Sequence, residues 1–280
     1  MSVSPLITPI GSQFLSDKCT GLGNAMFQTA ATYGISKKAN LPPCYNKVIE
    51  YCDLLLNRFN YNHKNTIFRN FQISSTPPSK INSICEPMCN PEAMSIVLSK
   101  LDLSSNNILD GYYEGVKFFD EYQNDIQILF SPDQNSLDLL KKSFPFLFDN
   151  TNTVGIHFRL DHTHRHISFE NYRKCIERMK EVLGNDIHFV VFTDNLSDTN
   201  LDIFSNYKYT IINTNTDYID MWALSMCKNY ILSHSTFAFW GYYLNSSFSG
   251  KIIVPSFEMD WYDKIATNSF PLPDGFKTNI

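Results

Sequence analysis

Val154-Gly155-Ile156-His157-Phe158-Arg159 is a short apolar run that delivers a histidine and an arginine, two residues apart, to one end. Apolar runs of this length bounded by polar residues read as buried strands. A histidine and an arginine at the tip of such a strand imply a polar, anionic neighbour. Two further runs downstream end in comparable clusters, Thr193-Asp194-Asn195 and Ser233-His234-Ser235-Thr236. Three strand-then-polar-tip units in one half of the chain point to a nucleotide pocket along the edge of a parallel sheet.

Working outward from that run, strand and helix alternate. The strand at 153–159 is followed by a polar loop and a helix from near Ser168, with Tyr172, Cys175, Ile176, Met179 and Leu183 on one face. A second strand, His188–Thr193, ends at Asp194. A third, Tyr209–Asn213, leads to a helix over 217–228 and a fourth strand, Tyr230–Ser233. Ser235 or Thr236 then caps a helix to Asn245, and Lys251–Pro255 makes a last strand. This rhythm predicts a doubly wound parallel sheet, in which ligands bind outside the carboxyl ends of the strands. His157, Arg159, Asp194 and Ser235 all fall there.

Upstream the pattern is weaker. Gly21-Leu22-Gly23-Asn24 runs into Phe27, Ala30, Ala31, Gly34 and Ile35, which are apolar or small at helical spacing. Lys37 and Lys38 suit the end of that helix, and Pro42-Pro43 stops it. Over 50–150, prolines 77, 78, 87 and 91 punctuate short aromatic and polar segments, with helices predicted over Phe118–Phe130 and Leu137–Phe144. We divide the chain into a domain over 1–150 and a domain over 151–280.

Composition limits the function classes. The 280 residues are 43% hydrophobic and 14% aromatic, enough for one large or two packed domains with substantial cores. A net charge of −5 and a pI near 5.8 give no general attraction to nucleic acid or anionic membrane. An anionic ligand must be held by local groups. No apolar run approaches the ~20 residues needed to span a bilayer, and no basic-then-apolar leader opens the chain. The seven scattered cysteines read as reduced residues of a cytoplasmic protein. Cys85 and Cys89 are the close pair, without a second pair at zinc spacing. Asn195-Leu196-Ser197 and Asn245-Ser246-Ser247 are glycosylation sequons that matter only in a secreted chain.

Each tip residue has a chemical use and a plain alternative. Arg159 has the planar fork that clamps a diphosphate bidentately, and equally suits an ion pair at a strand end. His157 suits a bond to base or ribose, or a satisfied core position. A carboxylate at Asp194 accepts the parallel N–H pair of a guanine, bonds a ribose, or stabilises a turn. Ser235 and Thr236 open a helix whose N–H groups seat phosphate, or act as an ordinary N-cap. The glycine loop is neither a dinucleotide fingerprint nor a P-loop. His162-Thr163-His164-Arg165-His166 alternates histidines as a metal site would, but Arg165 opposes a cation there and no further histidine-rich partner appears.

The clusters resemble the α-1,2-fucosyltransferases, and more distantly the α-1,6- and protein O-fucosyltransferases. Gly21 through Gln28 is similar to the family's G-L-G-N-Q-M-F-Q opening, and Val154–Arg159 to its H-x-R-R strand. Phe192-Thr193-Asp194-Asn195 is similar to F-S-D-D. Met226-Cys227-Lys228 through Ser235-Thr236-Phe237-Ala238-Phe239-Trp240-Gly241 is similar to the C-K…N-S-S-F-S-W-W-G block. Ile253-Val254-Pro255 and Trp261-Tyr262 echo the ending, and residues 45–150 stay uncovered. The resemblance implies an α/β, GT-B-like fold of two Rossmann-like domains with a cleft between them, the first on the acceptor side and the second binding the GDP-sugar. It implies a metal-independent, inverting transfer of L-fucose from GDP-β-L-fucose to O2 of a galactose-containing glycan, with no cofactor. By position, Arg159 would hold the β-phosphate, and His157 and Asp194 would recognise guanosine. Ser235, Thr236 and Phe237 would line the pyrophosphate seat, while Gly21, Gly23 and Asn24 would approach the donor from the first domain. The family's second arginine is Leu160 here, and Asp161, His162 and Glu170 are the nearby candidates for a general base, of which Asp161 is our expectation.

Overall fold

The computed structural model describes residues 3–5, 21–71, 80–87, 92–149, 151–160 and 167–255. They divide into two compact units, with the break between Ser131 and Pro132.

The first unit contains β1 (Val3–Pro5), α1 (Leu22–Ala39), α2 (Asn46–Phe59), β2 (Ile81–Cys85), α3 (Ala93–Ser99), β3 (Asn106–Asp110) and α4 (Gln123–Leu129). Its three described strands form a parallel sheet in the order β1-β3-β2. Helix α1 is buried on nearly every side, because Ala25, Ala30, Ala31 and Gly34 leave little bulk to exclude neighbours. A Cβ on Gly34 would collide with the carbonyl of Phe118, so that glycine is required for close packing. The helix ends where Asn40 turns left-handed (φ 53°), with Lys37 and Lys38 in the last turn, as expected for cations near a helix C-terminus. The strands β2 and β3 are absent from the sequence reading. They are short, and their apolar positions are interrupted by asparagine and serine.

The second unit begins at Pro132 rather than 151 and includes α5 (Gln134–Ser143), which packs on the helix over Asp217–Ser225. It continues through β4 (Thr153–Phe158), α6 (Phe169–Leu183), β5 (His188–Thr193), β6 (Lys208–Ile211), α7 (Asp217–Ser225), β7 (Asn229–Ile231), α8 (Thr236–Tyr243) and β8 (Ile252–Ile253). Its five described strands are parallel, in the order β6-β5-β4-β7-β8. The chain therefore builds outward from β4 through β5 and β6, then crosses back to lay β7 and β8 on the other side. That reversal places the topological switch point between β4 and β7, which is where open α/β sheets bind ligands.

Strand alternation gives β4 two different faces. Val154, Ile156 and Phe158 join Tyr172, Cys175, Ile176 and Met179 of α6 in the core. Gly155 and His157 lie on the opposite face, toward α7 and α8. A Cβ on Gly155 would sit 2.6 Å from Leu224 Cδ1, and one on Gly241 would sit 2.6 Å from Leu224 Cγ. Leu224 thus fills a slot that two glycines keep open, so α7 and α8 come close to the sheet. Helix α6 starts at Ser168, whose hydroxyl accepts from the Asn171 amide at 3.2 Å, and ends at Gly184 with φ +85°.

Candidate active site

The carboxyl edge of the second sheet gathers the tips of β4, β5 and β7. His157 is the last ring of β4 on the α8 face and is 4% exposed. Its Nδ1 lies 2.6 Å from Ser233 Oγ, across the switch point, and its ring stacks on Phe237 at 5.2 Å and 28°. Burial, helped by the positive charge of Arg159, pushes the His157 pKa down to about 3. The imidazole is therefore neutral at physiological pH and offers one donor and one acceptor nitrogen.

Tyr172 of α6 fixes this arrangement from below. Its hydroxyl donates to the His157 carbonyl at 3.1 Å and also meets the Arg159 amide and Ser233. Burial raises the Tyr172 pKa, so the phenol keeps its proton and remains a donor. One buried hydroxyl thereby ties α6 to the exits of β4 and β7.

At the neighbouring tip, Asp194 engages the β4 exit with both oxygens. Oδ1 accepts from the Leu160 amide at 2.7 Å, and Oδ2 lies 3.3 Å from Arg159 Nε. Arg159 keeps 32% of its side chain exposed, so its guanidinium is anchored yet open to solvent. Leu160, standing where the resembling family carries a second arginine, packs its side chain against the core of this unit.

Ser235 is the N-cap of α8, with its hydroxyl accepting from the Phe237 amide at 3.3 Å. Its own amide donates to the Ser233 carbonyl at 2.8 Å. Beside it, His234 Nε2 lies 3.1 Å from the Pro255 carbonyl, joining the exits of β7 and β8. The amino end of α8, with Thr236 and Phe237, is thus held against His157. A helix start at this place brings backbone N–H groups and a positive dipole end to the switch point.

His157, Arg159, Asp194, Ser235, Thr236 and Phe237 therefore share one sheet edge. Gly21, Gly23 and Asn24 belong to the first unit, at the start of α1. Gly21 is the N-cap, and a Cβ there would meet nothing within 4 Å among the described residues. Asp161, His162, His164, Arg165, His166 and Cys89 lie outside the described residues. Ser233 and Tyr172 escaped the sequence reading as site residues. Ser233 stood in a quoted tip cluster and Tyr172 on the buried face of α6, but only their contacts with His157 reveal a role.

A depression of about 640 Å³ lies at the opposite end of this sheet and is lined in part by Lys228, Asn229 and Asn245. Its amides are spent within the fold. Asn245 Nδ2 donates to the Cys227 carbonyl and the Tyr230 hydroxyl, and Asn229 Nδ2 donates to Asn152 Oδ1. That also commits the amide of one sequon. At the carboxyl edge, by contrast, a neutral histidine, a guanidinium and a helix start converge.

The chain is 26% identical to an Escherichia coli protein named alpha-1,2-colitosyltransferase, over 91% of this chain and 94% of that one. It is 28% identical to the Escherichia coli O-antigen biosynthesis glycosyltransferase WbnK, over 84% and 90%. The fold matches fucosyltransferase NodZ from Bradyrhizobium with a TM-score of 0.55 at 13% identity, covering 86% of this chain and 92% of that one. NodZ, an α-1,6-fucosyltransferase, has been crystallised with GDP and soaked with GDP-fucose. The two parallel-sheet units are those of a GT-B glycosyltransferase. Residues 21–270 match the model of glycosyl transferase family 11, and the chain belongs to that family.

Proposed function

We propose that the protein is an inverting, metal-independent transferase that moves L-fucose from GDP-β-L-fucose to O2 of a terminal galactose, forming an α-1,2 linkage. The observation that carries this reading is the pairing of His157 with Ser233 across the switch point, beside the open guanidinium of Arg159 and the start of α8. A doubly wound sheet with those groups at its reversal suits a nucleoside diphosphate.

In this scheme the Arg159 fork and the amino end of α8 hold the diphosphate. They stabilise the charge that builds on it as the bond from sugar C1 to phosphate oxygen breaks. Neutral His157, stacked on Phe237, bonds the nucleoside without adding a charge. The acceptor O2 attacks C1 from the face opposite the diphosphate, which inverts the anomeric centre. The O2 proton passes to a nearby base, for which Asp161 is our assignment. GDP leaves with the electron pair of the broken bond.

The relative named as a colitosyltransferase supports a second reading, in which the donor sugar is colitose on the same nucleotide. An assay with GDP-fucose and GDP-colitose in competition, over galactose-terminated acceptors and with EDTA present, separates the two. Turnover of GDP-fucose with an α-1,2 product supports the first reading, and preference for GDP-colitose supports the second. GDP binding with neither donor turned over would identify a nucleotide-binding protein without transferase activity. Activity abolished by EDTA would refute metal independence.

A further inference from the structure

A guanidinium that clamps a diphosphate must present both Nη groups to the ligand, yet arginine has a long side chain with many rotamers. Holding it in one orientation costs entropy unless a neighbour fixes it beforehand. Here the carboxylate of Asp194 lies against Nε, 3.3 Å away, on the inner edge of the planar group. The other oxygen takes the Leu160 amide at 2.7 Å, which fixes the backbone one residue beyond Arg159. Asp194 is itself set by the loop after β5. There Thr193 Oγ1 lies 2.9 Å from Thr199 Oγ1, and Asn195 Nδ2 donates to Asp198 at 2.8 Å.

Both oxygens of Asp194 thus face the exit of β4. A carboxylate that reads guanine would turn both toward the ring N–H and the amino group of the base. We infer that Asp194 is a positioning residue: it orients Arg159 through Nε so that Nη1 and Nη2 meet the diphosphate, and it acts on the reaction through that arginine. With Leu160 packed against the core, the orientation of this guanidinium carries the weight that a second arginine would share. This inference rests on the donor site proposed above.

Binding of GDP, GMP and IDP to the full chain decides it, measured by calorimetry on the wild type, Asp194→Asn, Asp194→Ala, Arg159→Ala and the double variant D194A/R159A. GMP lacks the β-phosphate and IDP lacks the guanine amino group. The isosteric Asp194→Asn keeps an acceptor for the Leu160 amide but sets an N–H against Arg159, so it tests orientation even if Asp194→Ala folds poorly. We expect both Asp194 variants to weaken GDP binding and kcat by about ten- to a hundredfold, the worth of a charged hydrogen bond. GMP binding and the GDP-to-IDP ratio should stay within about twofold of wild type, and D194A should add less than about twofold to R159A. A collapse of the GDP-to-IDP ratio in the Asp194 variants would show guanine reading and overturn the inference. So would a full, additive loss on top of Arg159→Ala, or wild-type GDP affinity in both Asp194 variants. A wild type that fails to bind GDP would instead refute the donor site itself.

Discussion

His157 should make the second unit sensitive to acid. In the fold its pKa is pushed down to about 3 by burial first and by Arg159 second, from an ordinary value of 6.5. The native state therefore keeps the ring neutral while the unfolded chain takes up a proton below 6.5. The stability tied to this difference is complete above 6.5 and is lost as pH falls toward 3. With about 1.4 kcal/mol per pH unit of differential protonation, the loss from about pH 7 to about pH 5 is roughly 2 kcal/mol. Trp222 and Trp240 are fully buried in α7 and α8, so their fluorescence reports unfolding of this unit. At a urea slope of about 1–3 kcal/mol per molar, the midpoint should fall by about 1 M between those pH values. His157→Gln keeps an amide for Ser233 but cannot titrate, and its midpoint should fall by correspondingly less. His188, held low by burial and by Lys208, titrates in both proteins, so the comparison isolates position 157. Equal acid shifts in wild type and variant would refute a neutral, buried His157.

Two further outcomes follow from the same geometry. Arg159→Ala should lower turnover by about a hundred- to a thousandfold, the range seen when one donor to a developing oxyanion is removed. Its urea midpoint should fall by no more than about 0.5 M, because a partly exposed ion pair contributes at most about 1 kcal/mol; turnover within a few fold of wild type would refute the diphosphate role. Gly155→Ala should destabilise by about 1–3 kcal/mol through overpacking on Leu224, and Leu224→Ala by about 2–5 kcal/mol through the cavity it leaves. Combined, the two should cost less than their sum, and strict additivity in urea titrations would show that Leu224 does not fill the slot at Gly155.

Much of the second unit was legible because each signal was local. The run from Val154 to Phe158, apolar or small except for His157, suits burial on both faces, which a central parallel strand provides. Ser168, Ser235 and Gly184 mark helix ends by their own side chains or backbone freedom, without help from distant residues. Around the site, the polar tips of β4, β5 and β7 could be placed at the sheet edge because a strand that ends in charge must end at an edge. The first unit was less legible, since Ile81–Cys85 and Asn106–Asp110 carry polar residues inside strands that pairing in the sheet stabilises.

Which tips meet was beyond the sequence. Strand order depends on crossovers, and the reversal that sets β7 beside β4 is what places Ser233 2.6 Å from His157 across 76 residues of chain. The duty of Asp194 is likewise a matter of register. Pairing of Phe158 with Thr193 brings the β5 exit level with the β4 exit, so its carboxylate reaches Arg159 and the Leu160 amide. Chain chemistry alone determined that an arginine, a histidine and a carboxylate stand at strand ends. Tertiary structure decided which of them touch, because hydrogen bonds and ion pairs act over a few ångströms of space and are indifferent to separation along the chain.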